Sequence, residues 1–216
     1  MKITAMSDLH GYLPDIPSCD LLLIAGDICP DMCATRQTEW FLDVAEPWLA
    51  AAPATHTILT WGNHDFCGQM LIGGSIVSRT SRARILVDAV ATVAGLKVWA
   101  SPWSDQIGAW AFMKEPRDLA PIYEAIPDDV DIIVSHQPPY TFGDRNMMGE
   151  HVGSRELLAA ILRVRPRLVV CGHIHESAGI YDCNGISIVN ASVVDSRYCL
   201  VRAPTTIYNI KDRVTS

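Results

Sequence analysis

The chain has 216 residues, 49% of them hydrophobic and 19% charged, a balance that excludes a disordered chain and predicts a soluble globular protein of one domain. Seventeen basic against twenty-four acidic side chains give a formal charge of -7, which argues against a protein built to grip a nucleic-acid backbone. No run approaches the ~18 consecutive apolar residues of a membrane helix. No apolar leader core opens the chain, and seven scattered cysteines fit a reducing cytoplasm better than a disulfide framework.

Short β-branched and leucine-rich runs alternate with longer amphipathic stretches, the pattern of a layered α/β domain. Strands are predicted over residues 2–6 and 21–25. A helix over 35–51 carries Trp40, Phe41, Val44, Trp48 and Leu49 at helical spacing, with a kink at Pro47 and a stop at Pro53. Strands follow at 57–60, 96–100 and 132–135. A second helix begins with Ser154 as N-cap, presents Leu157, Leu158, Ile161 and Leu162, and halts before Pro166. A strand at 168–171 precedes antiparallel strands at 179–183, 186–190 and 205–210, separated by breakers such as Asn184-Gly185.

The ends of these strands hold the chemistry. Apolar runs terminate in Ser7-Asp8-Leu9-His10, Gly26-Asp27, Gly62-Asn63-His64-Asp65, Ser135-His136 and Gly172-His173-Ile174-His175. Ligands of open α/β sheets bind outside the carboxyl ends of strands, so these five tips are expected to converge. Their mix of imidazole, carboxylate and amide suits Mn, Fe, Zn, Co or Ni and is too rich in histidine for a dedicated Mg or Ca site. Glycine precedes three of the tips, where the chain must turn tightly and let side chains reach an ion. A lone His or Asp at a strand end is more often a cap than a ligand, but five of the seven histidines fall in these clusters.

In this order, Asp8-x-His10, Gly26-Asp27, Gly62-Asn63-His64-Asp65, His136 and Gly172-His173-x-His175 resemble the motif set of the calcineurin-like metallophosphoesterases. Within that superfamily, Pro102-Trp103, Ser135-His136-Gln137-Pro138-Pro139, Gly172-His173-Ile174-His175-Glu176 and Asn190-Ala191-Ser192 are similar to the small metallophosphoesterase-domain phosphodiesterases of mammalian brain and of bacteria. The resemblance implies a four-layer sandwich of two mixed β-sheets flanked by helices, with two divalent transition-metal ions at the sheet ends. It implies Asp8, His10 and His175 on the first ion, Asn63, His136 and His173 on the second, and Asp27 bridging both. A metal-bridging hydroxide is then the expected nucleophile, and the centre stays cationic enough to draw a phosphate ester to an acidic protein.

His64 is not needed as a ligand, so its ring is expected to protonate the leaving alkoxide, with Asp65 fixing the ring's tautomer. A purely structural hydrogen bond behind the metal ligands is the competing role for His64. Trp103 and Trp110 either stack a nucleobase or pack in the core, whereas Trp99 belongs to a strand and to the core. The polar segment 140–153 follows His136 and is placed to reach the substrate through Arg145 and His151, though a solvated Arg145 is an equal reading. The arginine groups at 79, 82, 84 and 163, 165, 167 read as solvated faces. The expected activity is hydrolysis of small nucleotide-like phosphodiesters, including cyclic and 2',3'-cyclic nucleotides. A phosphomonoesterase or nucleotide pyrophosphatase, and a metal-holding interaction scaffold, are the alternatives; a nuclease is disfavoured by charge, and no stable nucleic-acid complex or membrane contact is expected.

Overall fold

A computed structural model describes residues 1–72, 83–208 and 210. Lys2–Met6 (β1), Cys19–Ala25 (β2), Ala54–Thr60 (β3), Ala83–Ile85 (β4) and Thr205–Tyr208 (β13) form one sheet in the order β13-β1-β2-β3-β4. Its strands are parallel except β13, which runs antiparallel to β1 at the edge. Ala89–Val93 (β5), Leu96–Ser101 (β6), Ile132–Ser135 (β9), Leu168–Cys171 (β10), Gly179–Cys183 (β11) and Ile186–Asn190 (β12) form the other, in the order β11-β12-β10-β9-β6-β5. Here β6, β9, β10 and β12 are parallel, and β5 and β11 close the edges antiparallel. A small pair, Ser104–Asp105 (β7) with Met113–Lys114 (β8), lies apart. Asn184 and Gly185 both take left-handed backbone, as the two-residue turn between β11 and β12 requires.

Strand parity explains the layers. Ile3, Ala5, Leu21, Leu23 and Ala25 face Val98, Ala100, Ile132, Val134, Leu168 and Val170 between the sheets. The alternate residues Met6, Leu22 and Ile24 turn outward to a second core with the helices Ala34–Trp40 (α1) and Glu46–Ala51 (α2). Trp99, Ile133, Val169 and Cys171 turn the other way, onto the helices Pro116–Glu124 (α4) and Arg155–Val164 (α5). The sandwich is therefore helix, sheet, sheet, helix, as expected, with Trp99 in its core. No helix among the described residues is long and apolar enough to cross a membrane.

Several elements differ from expectation. The helical run 35–51 is interrupted by a π-helical stretch, Phe41–Ala45, between α1 and α2. Pro47 lacks the amide that would bond Asp43's carbonyl, and the helix widens just before it. Phe41, Ala45 and Leu49 then become the buried set, and Val44 points outward. On α5, Ser154 caps as expected, its Oγ accepting the Leu157 N–H at 3.1 Å, but Ala160 and Val164 take buried places and Leu162 is exposed. The helix α4, not expected, starts on a proline at its first position, where the missing amide costs nothing. Arg163 lies on an exposed face as expected, and its Nη2 also donates to the carbonyls of Tyr123 and Ile126 at and beyond the end of α4. Arg79 and Arg82 lie outside the described residues, as does Asn209 within the 205–210 prediction.

Candidate metal centre

The ladder between β1 and β2 continues past both strands: Asp8 N–H donates to Gly26 O and His10 N–H to Asp27 O, at 3.0 and 2.9 Å. The loops after β1 and β2 thus travel together. Across the gap between the sheets, Ser7 N–H bonds Ala191 O and Val193 N–H bonds Ser7 O, at 2.9 and 3.0 Å, joining β1 to the end of β12. Both sheets therefore deliver their carboxyl ends to one place.

The backbone there is strained where the donors sit. Asp8, His10, Asp27 and His173 all take positive φ, of 57, 43, 52 and 68°, a region that costs an ordinary side chain about 1–2 kcal/mol. Gly172 makes room for them: a Cβ there would lie 1.9 Å from Ser7 Oγ and 2.3 Å from Asp8 Oδ2. Both Asp8 oxygens instead accept the His173 N–H at 3.0 Å. Gly172→Ala is expected to push Asp8 off this seat and lower metal content per chain; a variant that binds metal like the parent would refute the crowding argument.

Asp8, Asp27, Asn63, His64, His136 and His175 are all buried and meet at this end of the sandwich. Three groups of side chains bring ligand atoms within 4.8 Å of one another: Asp8 with His10 and His175; Asp8 with Asp27 and His136; and His10 with Asp31 and His64. Asp27 joins the first two, its Oδ2 lying 3.3 Å from His136 Nε2 and 3.9 Å from His10 Nε2. The His173 ring lies beside His136, with centroids 5.0 Å apart.

Hydrogen bonds fix which nitrogen faces the centre. His136 Nδ1 lies 2.8 Å from Ala25 O and His175 Nδ1 3.1 Å from Asp195 O. A carbonyl only accepts, so each Nδ1 carries a proton and each Nε2 keeps a lone pair in the neutral ring. Those Nε2 atoms face other polar atoms of the cluster. His136 Nε2 is 2.8 Å from Asn63 Oδ1, and His175 Nε2 is 3.4 Å from His10 Nε2 and from Asp8 Oδ1. Two buried carboxylates among these rings call for positive charge beside them, and nitrogen with oxygen donors suits a divalent transition metal.

The electrostatics agree. Burial alone would raise the Asp27 pKa, but His136 and His10 hold it well below the usual carboxylate range. Asp8, beside His175, is held at about 2 against the same burial. His136 is pushed up to about 9, because the charges of Asp27 and Asp8 outweigh its desolvation. Burial and the neighbouring His136 push His173 down to about 3, which keeps it a neutral donor.

Around His64 the geometry departs from expectation. Asp65 does not touch its ring. The Asp65 carboxylate accepts the N–H groups of Gly62, Cys29 and Ile28 at 2.8, 2.9 and 3.3 Å, so it ties the two loops together. Burial and the Asp27 charge push it up to about 6. The partner of His64 Nδ1 is Asp31, at 2.7 Å, which the sequence reading missed. Asp27 Oδ1 accepts the His64 N–H at 2.7 Å, and buried Gln37 donates to its carbonyl at 2.7 Å. The His64 ring stacks on Trp110, with centroids 4.2 Å apart.

A cleft of about 260 Å³ opens over these groups, lined by Asp27, Asn63, His64, His173 and His175 and, higher up, by Ile107, Trp110, Met147 and Tyr198. Trp110 therefore borders the cleft. Trp103 does not: it packs on Phe112 and donates its Nε1–H to Asp88 at 2.7 Å. The 140–153 segment does reach the cleft, but through Met147. Arg145 bonds the Gly149 carbonyl of its own loop at 3.0 Å, and His151 Nδ1 pairs with buried Asp144 at 2.6 Å.

The Calcineurin-like phosphoesterase family model matches residues 1–177. Metallophosphoesterase domain-containing protein 1 of Homo sapiens is 28% identical over 95% of this chain and 70% of its own length. A UPF0046 protein of Caenorhabditis elegans is also 28% identical, over 88% of this chain and 72% of its own. The crystal structure of TT1561 of Thermus thermophilus superposes with a TM-score of 0.59 at 15% identity, covering 88% of each chain, which is a likeness of fold.

Proposed function

The chain belongs to the calcineurin-like phosphoesterase family, whose members are divalent-metal-dependent phosphoesterases, and from that premise we propose that it hydrolyses small nucleotide-like phosphodiesters, cyclic and 2',3'-cyclic nucleotides among them. One observation carries the preference for diesters. Among the described residues, the cleft has no lysine or arginine in its lining and does have Glu176. A phosphate monoester carries about -1.5 to -2 charge at neutral pH and calls for cationic side chains beside its metals. A diester carries one charge and needs none.

In this reading Asp8, His10 and His175 hold one ion, Asn63, His136 and His173 the other, and Asp27 reaches both. Two bound divalent ions supply positive charge to the phosphoryl oxygens and activate a water as nucleophile; Mn, Fe, Zn, Co and Ni suit the donor set. The carbonyls of Ala25 and Asp195 orient His136 and His175. Asp31 accepts the hydrogen bond of His64 Nδ1–H and so leaves Nε2 as the nitrogen that carries the proton to the departing alkoxide. Trp110 holds that ring flat against its own. The cytoplasm is the matching compartment: all seven cysteines are free, including buried Cys29 and Cys67, whose sulfurs lie 3.5 Å apart.

The test is hydrolysis of an aryl phosphodiester and the matching monoester by metal-stripped protein reloaded with each ion. Faster diester cleavage that tracks metal content is expected. A monoester preference would replace the reading with a phosphomonoesterase. Failure to cleave either ester at full occupancy would leave a metal-holding interaction protein.

A further inference from the structure

Tyr198 belongs to no motif, yet its ring touches two of the donor histidines. It rides on the connection between β12 and β13, in left-handed backbone with φ 61°. Its ring stands edge-on to His10 and His175, with centroids 4.6 and 5.1 Å away, and 5.8 Å from His64. A single residue fixes this turn. Asp195 Oδ1 accepts the N–H groups of Arg197 and Cys199, at 2.9 and 3.0 Å, and the Asp195 carbonyl accepts both Tyr198 N–H, at 2.9 Å, and His175 Nδ1–H. The tautomer of His175 and the seat of Tyr198 are thus set by the same peptide.

Beside Glu176 and Ser196, three large apolar side chains from two other loops also line the cleft. Trp110 covers His64, and Ile107 and Met147 stand 71% and 77% exposed. Large apolar side chains gathered at the mouth of a polar cleft mark a surface that a ligand covers. Position decides which part of the ligand. The oxygen that His64 protonates is the leaving oxygen, so the group attached to it must lie beside His64, and the rings beside His64 other than the metal-ligand candidate His10 are Trp110 and Tyr198, with centroids 4.2 and 5.8 Å away.

We propose that Tyr198, Trp110, Ile107 and Met147 form a wall that selects the leaving alcohol of the ester, and that this alcohol carries a flat aromatic or heteroaromatic ring. The inference rests on His64 as the proton donor in phosphoester hydrolysis. It goes further in assigning specificity to the group on the departing oxygen, which in an open diester is distinct from the retained one. Tyr198 is a specificity residue that acts through its ring, and Asp195 is the residue that positions it.

Benzyl methyl phosphate tests this, because its two alcohols are nearly equally acidic and chemistry alone does not choose between them. In the favoured cleavage, water oxygen forms the new bond to phosphorus. The bond to the benzyl oxygen breaks with its electron pair on that oxygen, which takes the proton from His64; one water proton stays on the phosphate, the other goes to solvent, a solvent proton restores His64, and benzyl alcohol and the methyl hydrogen phosphate anion are released. The metal-loaded protein is expected to release benzyl alcohol over methanol by about tenfold or more, the scale of discrimination an apolar pocket gives. Tyr198→Ala should bring the ratio near one with bound metal unchanged, and Tyr198→Phe should restore it. A ratio near one in the parent, or an unchanged ratio in Tyr198→Ala, overturns the wall. Release of neither alcohol sinks the diester reading instead, and calorimetric binding of benzyl phosphate against methyl phosphate then decides. Tighter benzyl binding that Tyr198→Ala abolishes upholds the wall, and equal affinities overturn it.

Discussion

Asp27→Asn is expected to empty both metal positions at once and to abolish hydrolysis in step with occupancy. The reason lies in how the two oxygens are divided. Oδ1 is taken by the His64 N–H at 2.7 Å, and Oδ2 faces His136 and His10. An asparagine can keep the first bond only by giving its oxygen to His64. Its NH2 group then points into the donor set, where it repels a cation and offers no lone pair. Groups that merely orient ligands cost about 10–100-fold in affinity when removed, so loss of this shared ligand should exceed about a hundredfold. Metal per chain after gel filtration reads the result, with circular dichroism as the folding control. Full occupancy at both positions would remove Asp27 from its place between them.

His64→Ala should behave in the opposite way, losing turnover while keeping metal. A general acid contributes about 10²–10⁴-fold, which sets the expected fall in kcat. Metal content is informative because His64 also approaches His10 and Asp31 closely enough to form a third candidate ligand group. If His64 belonged to a metal site, the variant would lose an ion. A second signature separates proton donation from a loss of local packing. Nitrophenolate leaves without a proton and a nucleoside alkoxide does not, so the defect should be large for an alkyl or nucleoside ester and small for a nitrophenyl one. Equal defects on both would discard the acid role.

Much of the centre was legible because strand tips announce themselves. A leucine- and isoleucine-rich run ending in Gly-Asp or Gly-His-Ile-His gives both the element and the place where it stops, and the α/β rule then gathers the tips. The four-layer sandwich followed from the resemblance, and strand parity in β2, β9 and β10 agrees with it. What escaped was tertiary. Asp31 stands four residues beyond Asp27 in a run without periodicity, and it meets His64 thirty-three positions away. Asp65 is the natural partner by adjacency alone. The turn after Gly62 reverses it to collect three backbone amides instead. The helix α4 carries Pro116 and Pro121, which read as breakers, although one of them opens it. Trp103 and Trp110 could not be told apart by residue type, since only the fold decides which ring meets Asp88 and which meets His64.

The join between the two sheets has a consequence for the life of the protein. Asp8, His10, Asp27 and Asn63 come from one sheet and His136, His173 and His175 from the other, meeting where Ser7 bonds Ala191. An ion held by both sets would fasten the two halves of the sandwich as a rivet does, and neither half could open without releasing it. Such coupling adds about 4 kcal/mol to folding when free metal exceeds its dissociation constant about a thousandfold, and nothing when metal is scarce. The abundance of this chain in a cell is then expected to follow metal supply through proteolysis of its opened form.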